Sequence, residues 1–164
     1  MQISNSGIDF IKKWEELRLT AYRDVKGILT IGYGHTKNVR EGMSVTVSEA
    51  ENLLKNDLQD AENSVNYYLR GVELSQNQYD ALVSLVFNVG SGTIFTKIYN
   101  NGYVRGSSLY NLLLQGEYEG AVSRFTDFVN AGGVFVQGLK NRRLEEAEMF
   151  KKKVQLCPSC GSVL

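Results

Sequence analysis

The chain has 164 residues, 43% hydrophobic and 22% charged, which is enough apolar material for one domain or for two small lobes sharing a connection. Lys plus Arg is 18 and Asp plus Glu is 18, so the charges cancel and no global field selects nucleic acid or an anionic membrane surface. No apolar run approaches the ~18 residues of a membrane-spanning helix, and Met1–Ser6 lacks the basic start and apolar block of a secretory signal.

In chain order, Ser4 or Ser6 can cap a first helix whose apolar face is Ile8, Ile11, Trp14 and Leu17, ending near Glu16. The period then changes. Leu19–Asp24 and Ile28–Tyr33 read as two short strands, with Val25-Lys26-Gly27 as the turn between them and Gly32 and Gly34 marking tight turns after the second. Ser48-x-x-Glu51 reads as a capping box before a long helix running to about Leu69, with Leu54, Leu58, Ala61 and Val65 on one stripe. Ser75-x-x-Gln78 is a second capping box, ahead of the richly apolar Tyr79, Leu82, Val83, Val86 and Phe87, with Gly90 as the stop. A Gly-rich connection and three helical segments follow, roughly 108–115, 118–130 and 137–152, separated by Gly116 and by Gly132-Gly133.

The expected architecture is α+β and mainly α. A small lobe of about residues 12–47 carries the hairpin, a linking helix spans about 48–69, and a helical lobe covers about 70–152 together with the N-terminal helix. Residues 153–164 form a tail. A cleft where two lobes meet is a natural seat for a polymeric substrate.

Glycoside hydrolysis needs two carboxyl groups, one to protonate the leaving oxygen and one to handle water or the sugar cation. Such an acid works best among apolar neighbours, and Glu15 lies at the end of the first helix, next to Trp14 and Leu17 in sequence. Asp24 follows nine residues later, and Thr30 six residues after that. Gly27 is the midpoint of 24 and 30, so a hairpin centred there would set Asp24 and Thr30 opposite each other with one water between them. Spacing alone leaves the blander alternative open: helix-end charges at Glu15 and Glu16, a turn residue at Asp24 and a strand former at Thr30.

The surrounding residues add more. Trp14-Glu15-Glu16-Leu17-Arg18-Leu19-Thr20-Ala21-Tyr22-Arg23-Asp24, continuing through Thr30-Ile31-Gly32-Tyr33-Gly34-His35-Thr36, resembles the catalytic segment of the phage lysozymes, glycoside hydrolase family 24. The shared pattern is E-x8-D-x5-T. Asn77–Gly90 resembles that family's central helix and Gly138–Phe150 its closing helix, so the likeness covers about residues 5–152.

The resemblance implies a two-lobed lysozyme-like fold and a muramidase that cuts the β-1,4 bond between N-acetylmuramic acid and N-acetylglucosamine in peptidoglycan, without cofactor or metal. It implies Glu15 as acid, Asp24 as the group that activates water, and Thr30 as its helper. The expected course is inversion, with the carboxyl groups about 6.5–9.5 Å apart. Phe87 and Ser108 match positions that contact substrate, although Phe87 also continues an apolar helix face. The implied setting is cell lysis by a monomer that is held in the host cytoplasm and reaches the periplasm and wall through a holin-like partner. A catalytically idle binding module of the same fold is one alternative. A lytic transglycosylase is another, which Asp24 argues against.

One position departs from the family pattern: Glu16 stands where Gly is common after the acid. It should point away from Glu15, because residues i and i+1 do not share a helix face. His35, the single histidine, is expected to be a structural hydrogen-bonded residue. Arg142-Arg143 reads as a solvated charge pair or a contact for anionic peptidoglycan. Cys157-Pro158-Ser159-Cys160 resembles half of a zinc ribbon, but four ligands are wanted, which leaves a local disulfide, a shared site or a plain tail open.

Overall fold

A computed structural model describes residues 1–24, 27–98 and 104–152. The Cys157–Cys160 segment lies outside the described residues. The chain divides into two compact units, Ile8–Asp60 and a second made of Met1–Gly7 with Ala61 onward. The divisions fall inside two helices, α1 (Asn5–Trp14) and α2 (Val47–Tyr68).

In the Ile8–Asp60 unit, Ile11 of α1 is fully buried. Strands β1 (Arg18–Arg23) and β2 (Leu29–Gly32) then pair antiparallel. The register sets Tyr22 opposite Thr30 and Arg23 opposite Leu29, then slips before Arg18 meets Gly32. The other edge of β1 bonds to the segment before α2, where the Ala21 amide donates to Met43 at 2.8 Å and the Val45 amide to Leu19 at 2.9 Å. The chain reverses after β2 through Gly32 and Gly34, both at positive φ, and Ile31 and His35 exchange backbone hydrogen bonds across that turn.

The long helix is capped at Thr46, two residues earlier than expected. Thr46 and Glu49 form the reciprocal pair: the Glu49 amide donates to Thr46 Oγ1 at 3.2 Å and the Thr46 amide to Glu49 Oε2 at 2.7 Å. Glu51 accepts from Lys12 Nζ at 2.5 Å instead. The buried stripe of α2 is Ala50, Leu54 and Leu58 in the first unit, then Ala61 and Val65 in the second, the i, i+3, i+4 spacing of one helix face.

The second unit is built on α3 (Gln76–Val89), whose residues Tyr79 to Val86 are all buried. Ser75 and Gln78 form its capping box, and Gly90, at φ 84°, ends it. The connection after Gly90 contains a short helix α4 (Ser91–Phe95) and a two-residue pairing of β3 (Lys97–Ile98) with β4 (Val104–Arg105), neither of which was expected from sequence. Helices α5 (Ser108–Leu114), α6 (Tyr118–Ser123) and α7 (Gln137–Lys151) complete the unit. Phe95 stacks on Tyr68 at 4.7 Å and meets Tyr110 edge-on at 5.1 Å, while Phe125 packs against Phe150.

The helix expected over 118–130 stops at Ser123. Ser123 Oγ donates to the Gly120 carbonyl and Thr126 Oγ1 to the Ser123 carbonyl, and such bonds compete with the helical ladder. A 3-10 turn over Phe125–Asp127 follows, then a small hairpin of β5 (Asn130–Ala131) and β6 (Val134–Phe135) closed by Gly132-Gly133. Both glycines hold positive φ, as a two-residue hairpin turn requires.

Arg142 and Arg143 are not solvated. They are 4% and 0% exposed and surround Glu146, itself fully buried, which also accepts from Ser84 Oγ at 2.7 Å. Arg143 Nε lies 2.7 Å from one Glu146 oxygen and Arg142 Nε 3.2 Å from the other. Burial pushes the Glu146 carboxyl up, and Arg143, Ser84 and Arg142 pull it back down. This cluster ties α7 to α3, so the pair is structural and not a contact for the wall polymer.

Candidate functional site

Glu15, Asp24 and Thr30 all belong to the Ile8–Asp60 unit. Glu15 is the residue that closes α1: its amide donates to the Ile11 carbonyl at 3.0 Å, and its side chain is half-buried beside half-buried Trp14. Glu16 is exposed and engaged by Arg18 at 2.8 Å. The next residues lead directly into β1, so Glu15 is held by a helix end on one side and a strand on the other.

Asp24 follows the last residue of β1. Its amide donates to the Ile28 carbonyl at 2.9 Å, its carbonyl accepts from Gly27 at 2.8 Å, and its Oδ1 accepts from the Ile28 amide at 2.8 Å. Thr30 sits in β2, 4% exposed, with its hydroxyl donating to the Ile28 carbonyl at 3.0 Å.

The expected face-to-face pairing of Asp24 with Thr30 is corrected by one residue. The hairpin is centred on position 26, so Thr30 lies opposite Tyr22 and Asp24 opposite Ile28. Side chains alternate along a strand, so this shift still leaves Asp24 and Thr30 on one face, as diagonal neighbours. The backbone of Ile28 is their common anchor. Its amide holds the Asp24 carboxylate, and its carbonyl receives both the Asp24 amide and the Thr30 hydroxyl. Thr30 has thereby used its one donor and keeps an oxygen lone pair as acceptor.

His35 is placed as a structural residue. Nδ1 faces the Asp57 carboxylate at 2.8 Å and Nε2 the Lys37 carbonyl at 2.8 Å, which pins the turn after β2 to α2. Among the described residues no group of three or more His, Cys, Asp or Glu side chains is placed to hold a metal ion.

Phe87 and Ser108 lie in the second unit. Phe87, in the last turn of α3, is half-buried, unlike the fully buried residues before it. Ser108 is exposed at the start of α5, whose cap is the neighbouring Ser107, accepting from the Tyr110 amide. The sequence reading did not single out Arg23 or Glu41, whose bonds brace the Asp24 turn. Arg23 had one signal, its position next to Asp24, and Glu41 had none.

Known proteins match over most of the chain. The endolysin of Bacillus phage PZA is 40% identical over 153 residues, which are 92% of this chain and 55% of that protein, so the chain spans about half of that relative. The endolysin of Salmonella phage P22 is 40% identical over 152 residues, 90% of this chain and 97% of that one. Among solved structures, the muramidase domain of SpmX from Asticaccaulis excentricus superposes with a TM-score of 0.79 at 33% identity, covering 93% of this chain and 99% of the other. No helix among the described residues is long and apolar enough to cross a membrane. Residues 12–146, which hold Glu15, the Asp24 hairpin and most of α7, match the model of the phage lysozymes, and the chain belongs to that family.

Proposed function

We propose that this lysozyme hydrolyses the β-1,4 bond between N-acetylmuramic acid and N-acetylglucosamine of bacterial peptidoglycan, with inversion, and that it serves cell lysis. The observation that carries the mechanism is the Ile28 backbone node, which fixes a carboxylate and a hydroxyl oxygen on one face of a hairpin.

In this reading Glu15 gives its proton to the glycosidic oxygen as the bond to the anomeric carbon breaks. The Asp24 carboxylate takes a proton from a water whose oxygen attacks that carbon from the opposite side. Thr30 Oγ1 accepts the water's other O–H and aims its lone pair. Glu15 ends ionised and Asp24 protonated, and exchange with solvent resets both. An inverting course needs room for that water, about 6.5–9.5 Å between the carboxyl groups. Phe87 and Ser108 serve as substrate contacts, one half-exposed ring and one exposed hydroxyl. The enzyme waits in the cytoplasm and reaches the wall when a holin-like partner opens the inner membrane.

The test is product analysis on purified peptidoglycan with the wild type and Glu15→Gln. Reducing muramic ends from the wild type, and loss of about 10²–10⁴-fold in the variant with folding intact, are expected. Anhydro-muramyl products would identify a transglycosylase, and an inert wild type would sink the enzymatic reading.

A further inference from the structure

We infer that Arg23, itself held by Glu41, is a positioning residue that locks the Asp24 carboxylate in place through the peptide plane between Gly27 and Ile28. Four observations lead there. Arg23 Nη1 donates to the Gly27 carbonyl at 3.1 Å. Arg23 Nη2 donates to Glu41 Oε2 at 3.0 Å. The Ile28 amide donates to Asp24 Oδ1 at 2.8 Å. Gly27 sits at φ 78°, with open space where a side chain would stand.

The Gly27 carbonyl and the Ile28 amide are two ends of one rigid peptide unit, pointing opposite ways. Whatever fixes the carbonyl fixes the amide. A glycine beside that unit is the place where it would most readily rotate, because no side chain resists the change. Rotation would turn the Ile28 amide away from Asp24 and replace a donor by a carbonyl oxygen facing a carboxylate. The Arg23 guanidinium on the far end of the plane opposes that rotation. The flat fork of arginine serves two acceptors at once, which lets Glu41 hold the guanidinium while it holds Gly27.

Arg23 and Glu41 are 55% and 77% exposed, so the pair adds little to global stability. Its effect is local and falls on the group that handles water. This inference rests on the proposed role of Asp24, and the experiment separates the two.

Initial rates on purified peptidoglycan are measured for Arg23→Ala, Arg23→Lys, Glu41→Gln and Asp24→Asn, with melting midpoints and amide exchange at Ile28. The expected result for Arg23→Ala is a fall in kcat of about 3- to 10-fold, the equivalent of one hydrogen bond, with KM unchanged and faster Ile28 exchange. Arg23→Lys should recover part of kcat, since an ammonium reaches one acceptor but does not bridge both as a fork does. Glu41→Gln should shift kcat in the same direction by less. A loss confined to KM would make Arg23 a substrate contact and overturn the inference. So would wild-type kcat in Arg23→Ala while Asp24→Asn is inactive. A fully active Asp24→Asn would instead overturn the role of Asp24 and take the inference with it.

Discussion

Replacing Asp24 by Asn and by Ala separates its two possible contributions. In the structure Oδ1 accepts a hydrogen bond from the Ile28 amide at 2.8 Å. Asn presents a carbonyl oxygen at the same point and suits the same turn, so Asp24→Asn should melt within about 1 °C of the wild type. Ala removes the acceptor. One hydrogen bond is worth about 0.5–1.5 kcal/mol, and at this chain length each kcal/mol moves the midpoint by about 2–4 °C, so Asp24→Ala should melt about 1–6 °C lower. Activity should follow a different order. A neutral amide oxygen has too little basicity to take a proton from water, so Asn should lose about 10²–10⁴-fold in kcat, as Ala does. Calorimetry and turbidity loss of permeabilised Gram-negative cells give both readings from one preparation. An Asn variant that keeps activity within a few-fold would refute the reasoning and leave Asp24 as a turn residue.

Other substitutions test the frame around the site. Glu146→Ala removes the buried carboxylate that Arg142 and Arg143 face, at a cost of about 3–5 kcal/mol, and should lower the melting midpoint by about 6–20 °C. Thr46→Ala should cost about 1 kcal/mol in chemical denaturation through loss of the α2 cap, whereas Ser48→Ala should cost almost nothing. The Lys12–Glu51 bridge has a defined pH window. Its hydrogen bond holds the Glu51 carboxyl below its usual 4.5 and the Lys12 ammonium above its usual 10.5. A lowered acid gives stability that is present above 4.5 and lost as pH falls through the folded value, and a raised base gives stability present below 10.5 and lost as pH rises through its own. The difference in midpoint between wild type and Glu51→Gln should therefore be flat between 4.5 and 10.5 and shrink outside it.

Where apolar periodicity was long, sequence reading located the helices to within a residue or two, as at Gln76–Val89 with its Ser75 box. It failed where a short-range contest decided. Thr46-Glu49 and Ser48-Glu51 are equally good boxes on paper, and Lys12, far away in sequence, claims Glu51. The break after Ser123 depends on hydroxyls that choose the backbone over water. Arg142-Arg143 read as surface because the carboxylate between them is placed by folding, although Arg143, Glu146 and Phe150 already stand at the spacing of one helix face. Around Asp24 the hairpin was legible, and the error was in the register. A midpoint guessed from Asp24 and Thr30 is one residue off, because the strand pairs that set the centre are Tyr22 with Thr30 and Arg23 with Leu29.

The first residues of the chain also bear on how it is made. The Ile3 amide donates to Glu62, and the Ser4 amide and hydroxyl both donate to the buried Asp80, 76 positions further on. At about 5–20 residues per second, a ribosome delivers Asp80 roughly 4–15 s after Ser4. Until then Ser4 lacks that acceptor, and only Glu62, made earlier, is there for the Ile3 amide. The whole Ile8–Asp60 stretch must also be looped out before the ends meet, a closure entropy of about 3.5 kcal/mol plus a constant. If Ile8–Asp60 has already become compact, that loop is shorter in effect and the closure costs less. The helical unit is therefore the later of the two to be completed, and its seam at Ser4–Asp80 is a late step on the way to a working enzyme.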